Sequence, residues 1–298
     1  MSREIALVTA RRFVAPPEVT PHIANVLEED RLLIDALSSR GSLARRVDWA
    51  DPDVAWNGFA AVVIRTPWDY FERFEAFVAW LQRLESHPCV LNDLSTLRWN
   101  ADKHYLADLR AAGVPIVPTV FVERGEQTSL HDAVAQLGTD AVVYKPCVSG
   151  AARGTFRVLP GDAEAHEARF AALTSAEAMM VQAFMPSILD AGEVTVVAMQ
   201  GQPTHALIKR AKAGDFRVQD DHGGTLHEHC ASADELALAH AALATVSPTP
   251  VYGRVDMVRD EQGALRIMEL ELIEPELWLR MHPPAADAFA AGIAASLR

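Results

Sequence analysis

The 298-residue chain predicts an α/β protein of several units: a parallel α/β unit, a small α+β module, and a mostly antiparallel sheet at the C-terminus. Three observations carry this. Buried-looking strands alternate with amphipathic helices over the first hundred residues, the pattern of a parallel sheet with crossover helices. Four short β-like runs between 119 and 184 are split by a helical segment. After Gly192 come four longer β-runs and two Ala-rich helical stretches. The expected divisions are 1–99, 100–187 and 188–298, against a length prior of about two domains.

Taken in order, Ile5–Thr9 is a short buried strand, and residues 25–39 form a helix with Leu27, Leu32, Leu33, Ala36 and Leu37 on one stripe, stopped by Gly41. Phe59–Ile64 is a continuous apolar run, hence a second buried strand; residues 71–84 are helical, and Val90-Leu91 begins a third strand. His104–Ala112 is a short helix ended by Gly113, Pro115 and Pro118. Strands are expected at 119–122, 141–144, 155–158 and 179–184 around a helix at 130–137. Further strands are expected at 194–199, 205–209, 251–258 and 265–272, with helices at 233–246 and 285–297 packed on them, the Ala-rich tail docked.

Half the residues are hydrophobic and 22% are charged, as in an ordinary globular protein. With 27 Lys and Arg against 40 Asp and Glu, the net charge of −13 excludes non-specific nucleic-acid binding. It leaves room for a small anion in a locally basic cleft. Cys89, Cys147 and Cys230 are too few and scattered for a disulfide framework or a CxxC site. With no signal-like or membrane-spanning apolar run, the expectation is a cytoplasmic protein with no membrane partner.

The chemistry concentrates in three places. Arg254-x-Asp256 is followed thirteen residues on by Glu269-x-Glu271. Residues two apart on a strand share a face, so Glu269 and Glu271 sit side by side; with Asp256 opposite, three carboxylates call for a hard divalent cation such as Mg²⁺. The alternative is a hairpin edge facing water. Second, Val142–Pro146 ends a strand with Lys145 and runs into a small-residue loop, Ser149-Gly150-Ala151-Ala152-Arg153-Gly154-Thr155, able to bring backbone N–H groups to phosphate oxygens. It is neither a Walker A loop nor GxGxxG, and a flexible hairpin is the alternative. Lys103, opening a helix upstream, can reach the same phosphates. Third, Lys209, Arg210, Lys212 and Arg217 crowd nine residues of an acidic chain, which suits a specific anion or, alternatively, a solvated loop.

The set Lys103, Val-Val-Tyr-Lys145-Pro, the small-residue loop, Val181-Gln182-Ala183-Phe184, Gly192-Glu193-Val-Thr-Val, Arg254-x-Asp256 and Glu269-x-Glu271, in this order, resembles the ATP-grasp superfamily of carboxylate–amine ligases. The resemblance covers essentially the whole chain and implies an ATP-grasp fold whose small module is a lid. It implies that Lys103 and Lys145 hold the ATP phosphates under the Ser149–Thr155 lid loop, including Gly150, Ala151, Arg153 and Gly154. Gln182, Ala183 and Phe184 are then the adenine hinge, Glu193 binds ribose, and Asp256, Glu269 and Glu271 hold two Mg²⁺ ions, with Mn²⁺ as a substitute. Arg254 stabilises the acyl phosphate and its oxyanion, assisted by Lys209 and Arg217. Two departures stand out: relatives usually carry Glu-x-Asn where this chain has Glu269-x-Glu271, and many have an acidic residue at the place of Ala183.

The substrate side is expected at the C-terminal end of the second strand. There Arg65 suits a carboxylate and Asp69 an ammonium, between the aromatics Trp68 and Tyr70, which packing at a domain junction would equally explain. Asp30 is a second ammonium candidate, and His222 beside Gly223-Gly224 a further substrate contact. His227, His229 and Cys230 suggest a metal only superficially, because relatives use none there. The resemblance extends to a subgroup of small ATP-grasp proteins that includes cyclo-ligases. It implies an amino-acid-like substrate activated as an acyl phosphate and, for that subgroup, closure of O-ureido-D-serine to D-cycloserine with ADP, phosphate, CO₂ and ammonia released. The alternatives are an intermolecular amino-acid or peptide ligase, a nucleotide-binding regulator without turnover, and a kinase that stops at phosphoryl transfer. A homo-oligomer is compatible with all of them.

Overall fold

The computed structural model describes residues 4–218 and 223–297. The N-terminal unit contains β1 (Glu4–Thr9), α1 (Arg11–Val14), α2 (Pro21–Ser38), β2 (Leu43–Asp48), β3 (Ala61–Thr66), α3 (Phe74–Arg83), β4 (Val90–Leu91) and α4 (Leu94–Asn100). Its four strands are parallel in the order β2-β1-β3-β4. β1 and β3 are buried on both faces, so they read as unbroken apolar runs. α2 starts at Pro21, earlier than its apolar stripe, because Thr20 caps it by accepting from the Ile23 N–H. β2 escapes sequence reading: Leu-Ala-Arg-Arg-Val-Asp lies on the sheet edge, only its last two residues buried.

Next come α5 (Tyr105–Ala111), β5 (Thr119–Val122), α6 (Leu130–Leu137), β6 (Val142–Pro146), β7 (Phe156–Val158), α7 (Ala163–Ala176) and β8 (Met179–Ala183). The four strands form an antiparallel sheet, β5-β8-β6-β7. One face packs Val142, Tyr144, Met179 and Val181 against Leu130, Ala133 and Phe170; Val143, Lys145 and Gln182 point the other way. α6 closes a Ser129–Asp132 capping box and ends on left-handed Gly138. α7 has no sequence expectation because its alanines give it little sidedness, and it buries only Phe170 and Thr174.

The last third holds α8 (Ser187–Asp190), β9 (Glu193–Met199), β10 (Gln202–Arg210), β11 (Thr225–His229), α9 (Ala233–Ala244), β12 (Tyr252–Arg259), β13 (Leu265–Glu271) and α10 (Pro284–Ser296). The sheet is antiparallel, β11-β10-β9-β12-β13, its polar edge strand β11 again missed in sequence. Alternation gives its two faces different work. Val196, Ala198, Val255, Met257, Leu270 and Leu272 face one way, against α5 and α9. On the opposite face Val197, Met199 and Tyr252 share a core with Ile5, Leu7, Leu33 and Leu37 of the first unit and Phe289 of α10. Further along that second face the apolar residues give way to charged ones.

Candidate active site

Strand register assembles those charges. Glu193 pairs with Lys209, Thr195 with Asp256, Asp256 with Glu269, and Arg254 with Glu271. Directly opposed residues share a face, so four strands present one continuous polar patch. A bulge after Asp256 keeps Glu269 opposite it while Met257 faces Ile267. This patch floors a cavity of about 270 Å³ roofed by the middle sheet's second face, with Lys145 and the Ser149–Ala152 loop, and closed at one end by the N-terminal unit.

Inside it the side chains form one ion-pair network. Lys209 Nζ donates to Asp256 Oδ2 at 2.8 Å and to Glu193. Arg254 donates through Nε and Nη2 to Asp256 (2.9–3.2 Å), through Nη2 to Glu271, and through Nη1 to the Glu276 carbonyl. Thr195 Oγ1 also donates to Asp256, making this the most fully engaged of the three predicted metal carboxylates. Lys103 Nζ lies 2.6 Å from Glu269 and donates to the Ser149 carbonyl at 2.8 Å, fastening the small-residue loop to β13.

Burial opposes ionisation of Asp256, but Arg254 and Lys209 outweigh it and hold its pKa well below the usual carboxylate range. Burial likewise opposes Glu269, and Lys103 and Lys145 prevail. Glu271 goes the other way, to about 8, through burial and the charges of Glu269, Asp256 and Glu274, despite Arg254. Glu274 is raised to about 7 by burial and Glu269 against the pull of Lys103. Burial lowers Lys145. Glu269 and Glu271, two residues apart on one face of β13 with Asp256 opposite, offer an oxygen-only donor set of the kind that fits Mg²⁺.

Several predicted residues do meet here: Lys103, Lys145, Ser149, Gly150, Ala151, Gln182, Ala183, Phe184, Glu193, Lys209, Arg217, Arg254, Asp256, Glu269, Glu271, Trp68 and Tyr70 all line the cavity. The rest are placed otherwise. Arg153 turns away to Glu177 (2.6 Å) and the Val148 carbonyl, and Gly154 packs against Pro146. Arg65 is buried outside the cavity lining against Tyr252 and Phe289, at 3.5 Å from the Pro275 carbonyl. Asp69 accepts from Trp49 Nε1 at 2.8 Å and pairs with Arg73, which fixes a turn. Asp30 is 1% exposed, outside the cavity. His222 lies outside the described residues.

Two roles need revision. The expected adenine hinge offers fewer donors than its sequence suggests. The Ala183 and Phe184 N–H groups bond the Pro118 and Ala141 carbonyls, and the Gln182 amide donates to Thr119. Met185, one residue on, lines the cavity, and among the described residues its N–H has no backbone partner. Arg217 is not a spare cation either: its guanidinium pairs with Asp215 at 2.7 Å. Near that end Phe184, Ile188 and Val218 form an apolar cluster that suits a planar base.

Sequence reasoning missed Arg12, His22, Phe71, Glu274, Glu276 and Trp278, which also line the cavity. Trp278 has a left-handed φ of 46°, costly for a bulky side chain. Its ring lies 5.0 Å from the Arg254 guanidinium and 5.9 Å from Lys209 Nζ. The run Glu269-x-Glu271-x-x-Glu274-x-Glu276 was a signal for the two acids. Nothing in the sequence singles out Arg12 or His22.

Comparison with known proteins agrees with this architecture. Residues 5–92 match the family described as D-cycloserine synthetase DcsG, N-terminal domain, and residues 113–250 the prokaryotic glutathione synthetase, ATP-grasp domain. The cycloserine biosynthesis protein DcsG of Streptomyces lavendulae is 32% identical over 286 residues, covering 89% of this chain and 93% of its own. The chain belongs to the ATP-grasp ligases, in the DcsG family. The crystal structure of D-cycloserine synthetase DcsG superposes with a TM-score of 0.88 at 30% identity, over 99% of this chain and 100% of that one. D-alanine–D-alanine ligase from Bacillus anthracis shares the fold, with a TM-score of 0.68 at 14% identity over 98% and 96% of the two chains. As an ATP-grasp ligase the protein is an enzyme of ATP-dependent C–N bond formation, in a family that uses ATP and Mg²⁺. No described helix is long and apolar enough to cross a membrane.

Proposed function

We propose that this ligase closes O-ureido-D-serine to D-cycloserine, one small molecule supplying both the carboxyl group and the nitrogen. The observation that carries the reading is that the likeness to DcsG runs through the N-terminal unit as well as the ATP-grasp core. That unit supplies Arg12, His22, Trp68 and Tyr70 to one end of the cavity.

The substrate carboxylate oxygen attacks the γ-phosphorus of ATP, the bond to ADP breaks, and an acyl phosphate forms. Lys103 and Lys145 neutralise the phosphates beneath the Ser149–Ala152 loop. Glu269 and Glu271, with Asp256, would hold Mg²⁺, here proposed as two ions, which supplies charge neutralisation at the phosphates. The ureido nitrogen attached to oxygen then attacks the acyl carbon, and phosphate leaves. Arg254, held over Trp278 by Asp256 and Glu271, faces the developing oxyanion. Water removes the carbamoyl group as CO₂ and ammonia. An intramolecular nucleophile needs no second amine pocket.

The test is ADP release with ATP, Mg²⁺ and O-ureido-D-serine as the sole organic acid, with products read by mass spectrometry. ADP and D-cycloserine in equal amounts are expected. ADP only after a second amine is added would establish an intermolecular ligase instead; a stable phosphorylated acid, a kinase; ATP binding without acceptor-stimulated turnover, a regulator.

A further inference from the structure

Behind the phosphate lysines lies a second group of ligand-type side chains that the reaction does not use. Lys103 sends its ammonium into the cavity, while its neighbours Asp102 and His104 come together with Cys147, two residues beyond Lys145. One ligand atom from each of Asp102, His104 and Cys147 lies within 4.8 Å of the other two. His104 Nδ1 is 2.6 Å from Asp102 Oδ1, and its Nε2 is 3.0 Å from Glu123 Oε1. The imidazole is further held by stacking on Phe121, with ring centroids 4.5 Å apart. Cys147 is 1% exposed, and among the described residues its Sγ has no hydrogen bond.

We propose that Asp102, His104 and Cys147 form a second metal site, for Zn²⁺ or a cation of similar thiolate preference, distinct from the carboxylate site in the cavity. The donor set selects the ion. Thiolate and imidazole favour zinc-like cations, whereas Mg²⁺ prefers oxygen alone. Tetrahedral zinc places its S, N and O ligands ~3.3–3.6 Å apart, so the His104 Nδ1–Asp102 Oδ1 pair must open from 2.6 Å while the sulfur, within 4.8 Å of the other ligand atoms, adjusts to them. The pair can do this, the side chains of Asp102 and His104 being 43% and 32% exposed. The same exposure gives an ion a path to the buried sulfur. Binding displaces the thiol proton to solvent, Glu123 on the other ring nitrogen orients the imidazole, and water completes the coordination.

The backbone explains what such an ion would do. The Lys103 N–H already donates to the Cys147 carbonyl at 2.9 Å, and the Cys147 N–H to the Ala178 carbonyl at 2.9 Å. A metal here adds a second tie between the segment carrying Lys103 and the strand end carrying Lys145, and so fixes the spacing of the two phosphate cations. By contrast, His229 is committed to Glu235 at 2.7 Å, and Cys230 is exposed. The proposal is independent of which acid the enzyme activates.

The test uses metal-stripped full-length protein in excess Mg²⁺, which fills oxygen sites, titrated with Co²⁺ as a spectroscopic substitute for zinc. One equivalent should produce a near-ultraviolet thiolate-to-cobalt band, and Zn²⁺ should bleach it. Cys147→Ser should abolish the band and Cys230→Ser should retain it. His104→Gln, which keeps the thiol, should weaken Co²⁺ binding at least about tenfold. If Cys147→Ser fails to fold by circular dichroism, His104→Gln decides alone. Absence of the band in the parent protein, its survival in Cys147→Ser, its loss in Cys230→Ser, or unchanged affinity in His104→Gln each overturns the proposal.

Discussion

Asp30 offers a sharp test of the electrostatics. Both its carboxylate oxygens are buried without a hydrogen-bond partner, and the nearest ion-pair contact is Arg46 at 3.8 Å. Burial raises its pKa from 3.8 to about 6, even though Arg65 and Arg46 pull it down. Such a carboxyl holds its proton more tightly in the folded chain than in the unfolded one. Its burden is therefore absent below pH 3.8, grows as pH rises towards 6, and is complete above that. The gap is worth about 3 kcal/mol at pH 8, and about half that at pH 5. Asp30→Asn removes the ionisable group and keeps the shape. With an unfolding entropy of ~0.6 kcal/mol/K for a chain of this length, melting should rise about 5 °C at pH 8 and about 2–3 °C at pH 5. Thermal melts of the two proteins in matched buffers at both pH values measure this, because every other titrating group is common to them. Destabilisation at pH 8, or an equal gain at the two pH values, would refute the reasoning. Because Asp30 lies outside the cavity, the KM for the amino-acid substrate should stay unchanged; a raised KM would restore it as a substrate contact.

Three further outcomes are expected. Glu269→Gln should cut turnover at least about tenfold and shift its dependence to higher Mg²⁺, with melting little changed because Lys103 keeps its bond to Ser149; ADP release against Mg²⁺ concentration reads this, and undiminished activity at low Mg²⁺ would contradict the metal assignment. Gly150→Ala should weaken ATP binding while the fold survives, since its methyl would stand 2.5 Å from the Phe71 ring and push the phosphate loop off its seat; calorimetric ATP affinity measures it. Asn92→Ala should cost about 3 kcal/mol in urea unfolding, because this buried amide donates to the Tyr252 and Leu272 carbonyls and accepts from the Val251 N–H, three main-chain groups left unmatched.

The charged face of the candidate site was legible because it obeys the simplest rule of strands. Arg254-x-Asp256 and Glu269-x-Glu271 need only period two and an antiparallel partner to converge, and Glu193 and Lys209 join them by register. The substrate end was less so. Arg65 and Asp30 have the right chemistry for an amino acid, yet β3 and α2 bury them outside the cavity lining. Arg12 and Trp278 reach the cavity from a four-residue helix and a loop, and His22 from the first turn of α2, ahead of its apolar stripe, so none leaves a periodic trace. Edge strands β2 and β11 went unread for a related reason: a strand with one free edge and polar neighbours has little apolar pattern to display. The Asp102–His104–Cys147 group spans forty-five positions and depends on a tertiary contact, which spacing alone cannot reveal.

The core shared by Ile5, Leu7, Leu33 and Leu37 with Val197, Met199, Tyr252 and Phe289 has a consequence for how such a ligase acquires new substrates. The unit that shapes the substrate end is not a cartridge that can be exchanged between relatives. Grafting a foreign one would set its β1 and α2 side chains against the wrong partners on β9, β12 and α10, with cavities or overlaps worth several kcal/mol. The cheaper path to a new acid is point substitution in the cavity lining, at Arg12, Trp68, Glu274 or Glu276, where a change of reach or charge leaves the shared apolar core undisturbed. Descent within this family should therefore show N- and C-terminal parts inherited together, and its chemistry diversifying in the lining of the cavity.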